Sequence, residues 1–213
     1  MRTRIYVVAL VFLVVTAFGV VWWVLRESDS ERNKGKIRAA QAAVEKKLVE
    51  TEPLLKKELD SEELGRFVYA VTKYQGVTRK SIAANPNVVS RQDMPGATIK
   101  SEIIMLKNSK TGLEEKMLFE GENLRYVTSL GGDRQFMIEF DENGDISNYR
   151  EFKSNKEDGI QLGFSGHNRL LEILRCVDGK YLGKMSKWDG AGNLVKSADL
   201  KKPKEIGEDP FDK

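Results

Sequence analysis

The chain has 213 residues, 40% of them hydrophobic and 31% charged, and its 35 Lys and Arg against 32 Asp and Glu give a net charge of +3. This balance lacks the clustered basic character of nucleic-acid-binding domains, so we expect no nucleic-acid partner. A single Cys excludes a disulfide framework within the chain, and a single His excludes a two-histidine metal site. Because phosphate-loop and dinucleotide-binding glycine motifs are also missing from the sequence, we expect no cofactor and no metal.

Residues 5–25 form a run of 21 residues without a charge. As an α-helix this run would span about 31 Å, which matches the roughly 30 Å hydrocarbon core of a bilayer. Aromatic rings stand near both ends, where they favour the membrane interface. The residues that mark the ends of the span are Ile5, Tyr6, Trp22, Trp23 and Leu25. We therefore predict that residues 1–27 are a signal anchor with one transmembrane helix.

A cleaved signal peptide is the alternative, because Arg2 and Arg4 resemble its basic region and Ala17-Phe18-Gly19 resembles its cleavage site. The apolar run continues past Gly19 through two tryptophans, which favours an uncleaved anchor. The Lys and Arg residues after the run would by themselves place that side in the cytoplasm. The N-terminal arginines nevertheless match a segment that stays inside. We expect a single-pass protein with its domain outside the cytoplasm, periplasmic in a Gram-negative cell.

Residues 28–76 have the apolar spacing of helices and form a predicted helical neck. Pro53 should end or kink the first helix, and the Asp60–Glu63 spacing matches a capping box that starts another. The apolar face of that second helix would contain Leu64, Phe67, Val68 and Val71. Such a face can bind a partner, but we expect it to pack on the domain that follows. Residues 77–96 contain two prolines and no sustained period, and we interpret them as a loop.

Residues 97–200 show short runs of β-branched and aromatic residues separated by turn signals. Short connections favour antiparallel neighbours, since parallel pairs need long crossovers. The predicted fold class is therefore α+β, with a transmembrane helix, a helical neck and an antiparallel β-meander of hairpin repeats. Residues 201–213 are expected to form a flexible tail.

Three segments, 140–146, 164–170 and 188–194, recur with a period of 24 residues. Each has an aromatic residue, a turn with Asp or Ser and Gly or Asn, and then an aliphatic residue. Asp and Ser bind turn backbone, while Gly and Asn accept the positive φ of tight turns. A second turn per unit is expected near Asn155 and at residues 178–179. The candidate turn residues are Asp141, Gly144, Gly166, Asn168, Asp178, Gly179, Asp189 and Gly192.

Residues 136–207 resemble MORN-type repeats, in particular the hairpin repeats of bacterial antitoxin components. The match is best over residues 177–194, which contain the G-x-x-x-G step at Gly179 and Gly183 followed by an aromatic residue and a D-x-x-G-x-L turn. The chain has Cys176 where the family places an aromatic residue. The resemblance implies a β-hairpin scaffold that binds proteins or membrane lipids without catalysis.

No catalytic residue is predicted. His167 stands in a repeated turn, where we expect exposure to solvent, and Cys176 aligns with apolar residues, which favours a buried strand position over a reactive thiol. The acidic residues of the turns lack the spacing of calcium loops.

The sequence thus predicts a membrane-anchored, non-enzymatic binding or scaffolding protein whose partner is a protein or the lipid headgroups. An antitoxin or immunity-like role is one alternative, and a pilin-like subunit is another, although the Glu of the pilin processing signal is missing. The oligomeric state is left open. Alternate exposed residues of the sheet would face the partner, and the candidates are Lys153, Arg175, Lys187 and Lys196.

Overall fold

A computed structural model describes residues 52–95, 99–109 and 111–212. The predicted transmembrane helix and the first part of the neck lie outside the described residues. Among the helices that the structure describes, none combines the length and apolar character that a membrane span requires.

The described chain begins with helices and continues as a sheet. The helices are α1 (Glu52–Glu58), α2 (Ser61–Tyr74) and α3 (Arg79–Ala83). The strands are β1 (Val88–Met94), β2 (Ser101–Lys107), β3 (Glu114–Glu120), β4 (Asn123–Leu130), β5 (Arg134–Phe140), β6 (Ile146–Lys153), β7 (Lys156–Ser165), β8 (Arg169–Val177), β9 (Lys180–Trp188) and β10 (Leu194–Glu205). A 3-10 turn, Gly166–Asn168, connects β7 to β8.

The described residues form one sheet of ten strands, and their order in space is their order in the sequence. Every neighbouring pair is antiparallel. The predicted antiparallel meander of hairpins is therefore confirmed, because connections of a few residues can only join adjacent antiparallel strands.

The 24-residue period of the sequence matches every second hairpin of the meander. Phe140 pairs with Ile146, Phe164 with Leu170, and Trp188 with Leu194, each across the end of one hairpin. Because strand direction alternates, the three turns lie at the same end of the sheet.

Helix α2 begins where its cap predicts. The Asp60 carboxylate accepts the backbone N–H groups of Glu62 and Glu63 at 2.9 and 2.8 Å, and the Glu63 carboxylate accepts the Asp60 N–H. The helix ends before Gly76, whose φ is +72°. Its buried residues are Phe67, Ala70, Val71 and Tyr74, whereas Val68 is exposed. The apolar stripe is thus rotated from the predicted one.

The helices cover one face of the sheet, which we call the covered face. The Phe67 ring contacts Tyr149 edge-on at 5.2 Å and stacks with Phe164 at 5.8 Å. Tyr74 contacts Phe136 at 5.8 Å. These aromatic residues and the aliphatic residues around them form the main core, so the described helices of the predicted neck pack on the sheet that follows them.

Two predicted boundaries differ from the structure. The expected loop 77–96 contains α3 and β1. Strand β1 is not predicted because its residues are mostly exposed and polar at the sheet edge, so it lacks apolar alternation.

The expected tail from residue 201 continues β10 to Glu205, since an edge strand accepts Pro203 and lysines that a central strand would not. Beyond it, Asp209 binds Lys196 at 3.1 Å.

Candidate protein-binding face

The predicted turn residues lie in the hairpin turns, where they bind backbone groups. The Asp141 carboxylate accepts the N–H groups of Asn143 and Asp145 at 2.8 and 2.9 Å, and Asp189 accepts those of Ala191 and Asn193, both at 2.9 Å. Gly144 and Gly192 supply a φ of +76° and +83°. Hydrogen bonds from the Asn193 backbone and side chain lower the pKa of Asp189.

The turn between β7 and β8 is built differently. His167 and Asn168 have positive φ, but Gly166 does not. The buried Asn168 accepts the Ile146 N–H at 2.6 Å and donates to Asp145 at 3.1 Å, which joins two successive repeat turns. The His167 side chain is 85% exposed. The arrangement stabilises the turn ends of the sheet.

Asp178 and Gly179 form the turn between β8 and β9, with φ of +51° and +80°. The Lys156 ammonium lies 2.7 Å from the Asp178 carboxylate and lowers its pKa. This contact joins the β6–β7 turn to the β8–β9 turn. It is the counterpart, at the other end of the sheet, of the contacts that Asn168 makes between successive turns.

Cys176 is buried in β8, and the Gln161 amide lies 3.2 Å from its sulfur. Burial, followed by the charges of Glu157 and Asp158, raises its pKa to about 12. The thiol is therefore protonated at neutral pH and is a poor nucleophile. No group of three or more His, Cys, Asp or Glu side chains within the described residues is arranged to hold a metal ion.

The structure does not bring the four basic candidates together. Arg175 lies on the covered face, where it binds Glu63 at 3.0 Å and the Glu58 carbonyl at 2.7 Å. Lys153 follows Glu151 by two residues on β6 and so shares that face by strand alternation. Lys187 and Lys196 are cross-strand partners on the opposite face. Bulges in these strands shift the alternation of side chains between the two faces of the sheet. Counting every second residue along the sequence therefore groups side chains that point to opposite faces.

Charged pairs fix the helices to the covered face. Glu151 and Arg175 occupy the same position in successive 24-residue units. Glu151 binds Arg66 of α2, and Arg175 binds Glu63 one helical turn earlier. Further pairs join Glu58 to Lys184, Lys73 to Glu115 and Arg79 to Glu122. The helices thus cross the strands from β9 towards β3, and these ion pairs hold them on the covered face.

The opposite side of the sheet, which we call the open face, carries apolar residues that no described helix covers. Ile103, Leu118 and Tyr126 form one cross-strand row over β2, β3 and β4. Met105 and Met137 belong to the next row, in which Lys116 and Thr128 lie between them. With Met94 at the edge, where 43% of the residue is exposed, these side chains form the open-face patch. Its members are Met94, Ile103, Met105, Leu118, Tyr126 and Met137.

A shallow depression of about 690 Å³ lies within the open-face patch. Charged residues of both signs surround the apolar floor, and they are Lys116, Arg125, Glu120, Glu139 and Asp141. Arg125 is the extra residue of a bulge in β4, and its Nε lies 3.0 Å from the Glu120 carboxylate. Its Nη1 is buried and has no hydrogen-bond partner within the described residues.

Methionines concentrate on this face. Of the methionines in the described residues, Met117 faces the helices, and the others lie on the open side: Met94, Met105, Met137 and Met185. Met185 is buried together with Leu174 and Cys176, so the accessible patch is confined to the half of the sheet formed by β1 to β5. Flexible, polarisable methionine side chains adapt well to the surface of a binding partner.

Sequence reasoning missed the open-face patch. The sequence does contain a signal for it, the apolar run Ile103-Ile104-Met105-Leu106. In a strand, this run places apolar side chains on both faces of the sheet. Such a run is typical of a strand that is covered on both faces. The helices cover Ile104 and Leu106, whereas Ile103 and Met105 are only half-buried.

Comparison with known proteins adds little. No family model matches the chain, and no curated protein matches it. A crystal structure of TarM is 14% identical, with a TM-score of 0.29, over 73% of this chain and 31% of that one. A mutant of S. aureus TarM in complex with fondaparinux, α-GlcNAc-glycerol and UDP is 12% identical, also with a TM-score of 0.29, over 78% and 37% of the two chains. The chain thus spans about a third of these proteins, and so low a TM-score supports no argument about its fold or activity.

Proposed function

We propose that this protein is a non-enzymatic binding module, anchored in the membrane by residues 5–25, that docks a protein partner on its open face outside the cytoplasm. The observation that carries the proposal is the uncovered open-face patch on a sheet whose other face is filled by helices. Contiguous exposed apolar surface that is rimmed by polar residues is typical of interaction sites. The resemblance to MORN-type repeats supports the same class of function.

The composition of the patch favours a protein over a lipid surface. Met, Tyr and Arg are enriched in protein interfaces. An anionic membrane surface would require an excess of basic residues, because each Lys or Arg near it contributes about 1 kcal/mol. Around the depression, however, Lys116 and Arg125 are outnumbered by three acidic residues, Glu120, Glu139 and Asp141.

The Arg125 guanidinium indicates the polar chemistry of the partner. The Arg125 side chain lines the depression and is 28% exposed, so a partner that offers a carbonyl or carboxylate oxygen to its accessible N–H groups would gain affinity. We therefore propose a partner surface with an apolar centre and a hydrogen-bond acceptor beside it. An antitoxin or immunity-like role is the case in which that partner is a toxin.

Photo-crosslinking in living cells tests the proposal. A photoreactive phenylalanine analogue replaces Leu118 in the full chain, and a matched control carries it at Tyr69, which is 67% exposed on α2. We expect a discrete crosslinked protein from position 118 and none from position 69. Equal crosslinking at the two positions, or none at position 118, would contradict the open face as the docking site.

A further inference from the structure

The meander has two edges, and they are not equivalent. Strand β10 is protected against pairing, because it contains Pro203 and several lysines and its register shifts between Leu200 and Lys204. The chain beyond it also folds back, since the Lys204 ammonium binds the carbonyls of Asp209 and Asp212 at 2.7 and 3.0 Å.

Strand β1 lacks most of these protections, and its register shift lies at its beginning, between Val88 and Ser90. Its seven residues, VVSRQDM, include neither Pro nor Lys, and most of its side chains are exposed. Its pairing with β2 is regular from Ser90 to Met94. On the side away from β2, every second residue of such an edge presents an unpaired N–H and C=O, which is a template for a further strand.

The charges of β1 are self-complementary. We propose that β1 pairs in antiparallel orientation with β1 of a second copy of this chain, with Gln92 opposite its own equivalent. In this register Arg91 lies opposite Asp93 of the second copy. The two-fold axis also places Asp93 of the first copy opposite Arg91 of the second. Registers centred on Arg91 or on Asp93 would instead place like charges opposite each other, which is unfavourable.

The surroundings of Asp93 support this partner. Asp93 lies opposite Glu102 on β2, so two carboxylates are adjacent within one sheet. Glu102 is near Arg79 at 3.4 Å and Arg91 at 3.8 Å. Asp93 itself makes no hydrogen bond or ion pair with any residue that the structure describes. Arg91 of the second copy would place a guanidinium beside it.

Pairing would join two sheets into one continuous sheet of twenty strands. Met94, on the open face, would then lie opposite Ser90 of the second copy, and the open-face patches of the two copies would be adjacent. The inference goes beyond the proposed function and does not depend on it, because it rests on the edge of the sheet and not on its face.

Cysteine pairing in membranes that contain the full chain tests the register. Residues opposite each other in an antiparallel pair have Cα atoms about 4.5–5.5 Å apart, which a disulfide can bridge. We expect Gln92→Cys to give a dimer band on mild oxidation. Ser90→Cys is the matched control, since its two copies would be about 13 Å apart along the strand. The unmodified chain, whose only cysteine is the buried Cys176, should give no band.

Charge exchange tests the complementarity. In the Gln92→Cys background, Asp93→Arg should remove most of the dimer band, because arginines would then oppose each other. Adding Arg91→Asp to that variant should restore the band. Circular dichroism of each variant checks that the sheet has folded. The inference is overturned if Gln92→Cys gives no dimer, if Ser90→Cys gives an equal one, or if the exchange fails to restore it.

Discussion

Arg66 of α2 donates from Nε and Nη2 to the carboxylate of Glu151 on β6, at 2.7 and 3.2 Å. Glu151 is only 3% exposed and also accepts the Tyr149 hydroxyl at 3.0 Å and the Ile160 N–H at 3.2 Å. The carboxylate raises the pKa of Arg66 through this hydrogen bond, and burial raises the pKa of Tyr149. Both neighbours therefore keep their protons at neutral pH, and the helix is held on the sheet by a fully bonded buried charge.

Removing the cation should leave that buried carboxylate with only the Tyr149 hydroxyl, the Ile160 N–H and the more distant Arg134 to compensate its charge. We expect Arg66→Met to lower the free energy of unfolding by about 2–3 kcal/mol, somewhat below the cost for a fully buried pair because Arg66 is partly exposed. Arg134→Met is the matched control: Arg134 is 4.0 Å from the same carboxylate and more exposed. It should cost less than about 1 kcal/mol. Urea unfolding measures both, and equal losses would contradict the central role of Arg66.

Gly159 makes room for the same carboxylate. A Cβ at this position would lie 2.1 Å from Glu151 Oε2, and the φ of Gly159 is +120°. Gly159→Ala should therefore destabilise the protein by more than about 2 kcal/mol. Gly166→Ala serves as the control, because no atom lies within 4 Å of its Cβ position and its φ is not positive. A change within about 0.5 kcal/mol is expected there, and similar losses in the two variants would argue against this explanation.

The Asp60 cap predicts a specific acid response. Hydrogen bonds from the Glu63 backbone, and then from Glu62, lower the pKa of Asp60 from 3.8 despite an opposing effect of desolvation. A carboxylate with a lowered folded pKa contributes stability above the unfolded pKa and loses it as the pH falls through the folded value. Thermal unfolding should therefore show that the stability advantage of the native chain over Asp60→Asn shrinks below about pH 4. A difference that stays constant down to pH 2 would contradict the assignment.

Cys176 should resist alkylation in the folded protein. Its pKa of about 12 and its burial both suppress the reactive thiolate. Iodoacetamide at pH 8 should modify it quickly in urea and very slowly in buffer, as measured by mass spectrometry. Rapid modification of the folded chain would contradict the buried, protonated state of Cys176.

Local chemistry explains which parts of the fold were predictable. Turns that contain Asp141 and Asp189 depend on residues a few positions apart, as does the Asp60 cap of α2. Contacts such as Arg66–Glu151 and Arg175–Glu63 join residues 85 and 112 positions apart. In the sequence these residues are typical of a solvated surface, so Arg175 was assigned to a partner surface although the helices bind it.

The open-face patch was not predicted from the sequence for a related reason. Its members alternate with core residues on the same strands, and which alternation the helices cover is decided only by tertiary packing. Bulges such as the one at Arg125 then shift the alternation within a strand. Strand β1 has too few apolar residues to be recognised outside the sheet that it completes.

Oxidation of the methionines in intact membranes tests the central claim most directly. Met94, Met105 and Met137 belong to the open-face patch, whereas Met117 and Met185 are buried and serve as internal controls. Mild peroxide followed by mass spectrometry compares the purified chain with the chain in its native membrane. A docked partner should slow oxidation of the three patch methionines several-fold in the membrane and leave the two controls unchanged. Equal rates for the patch methionines in both preparations would contradict docking on the open face.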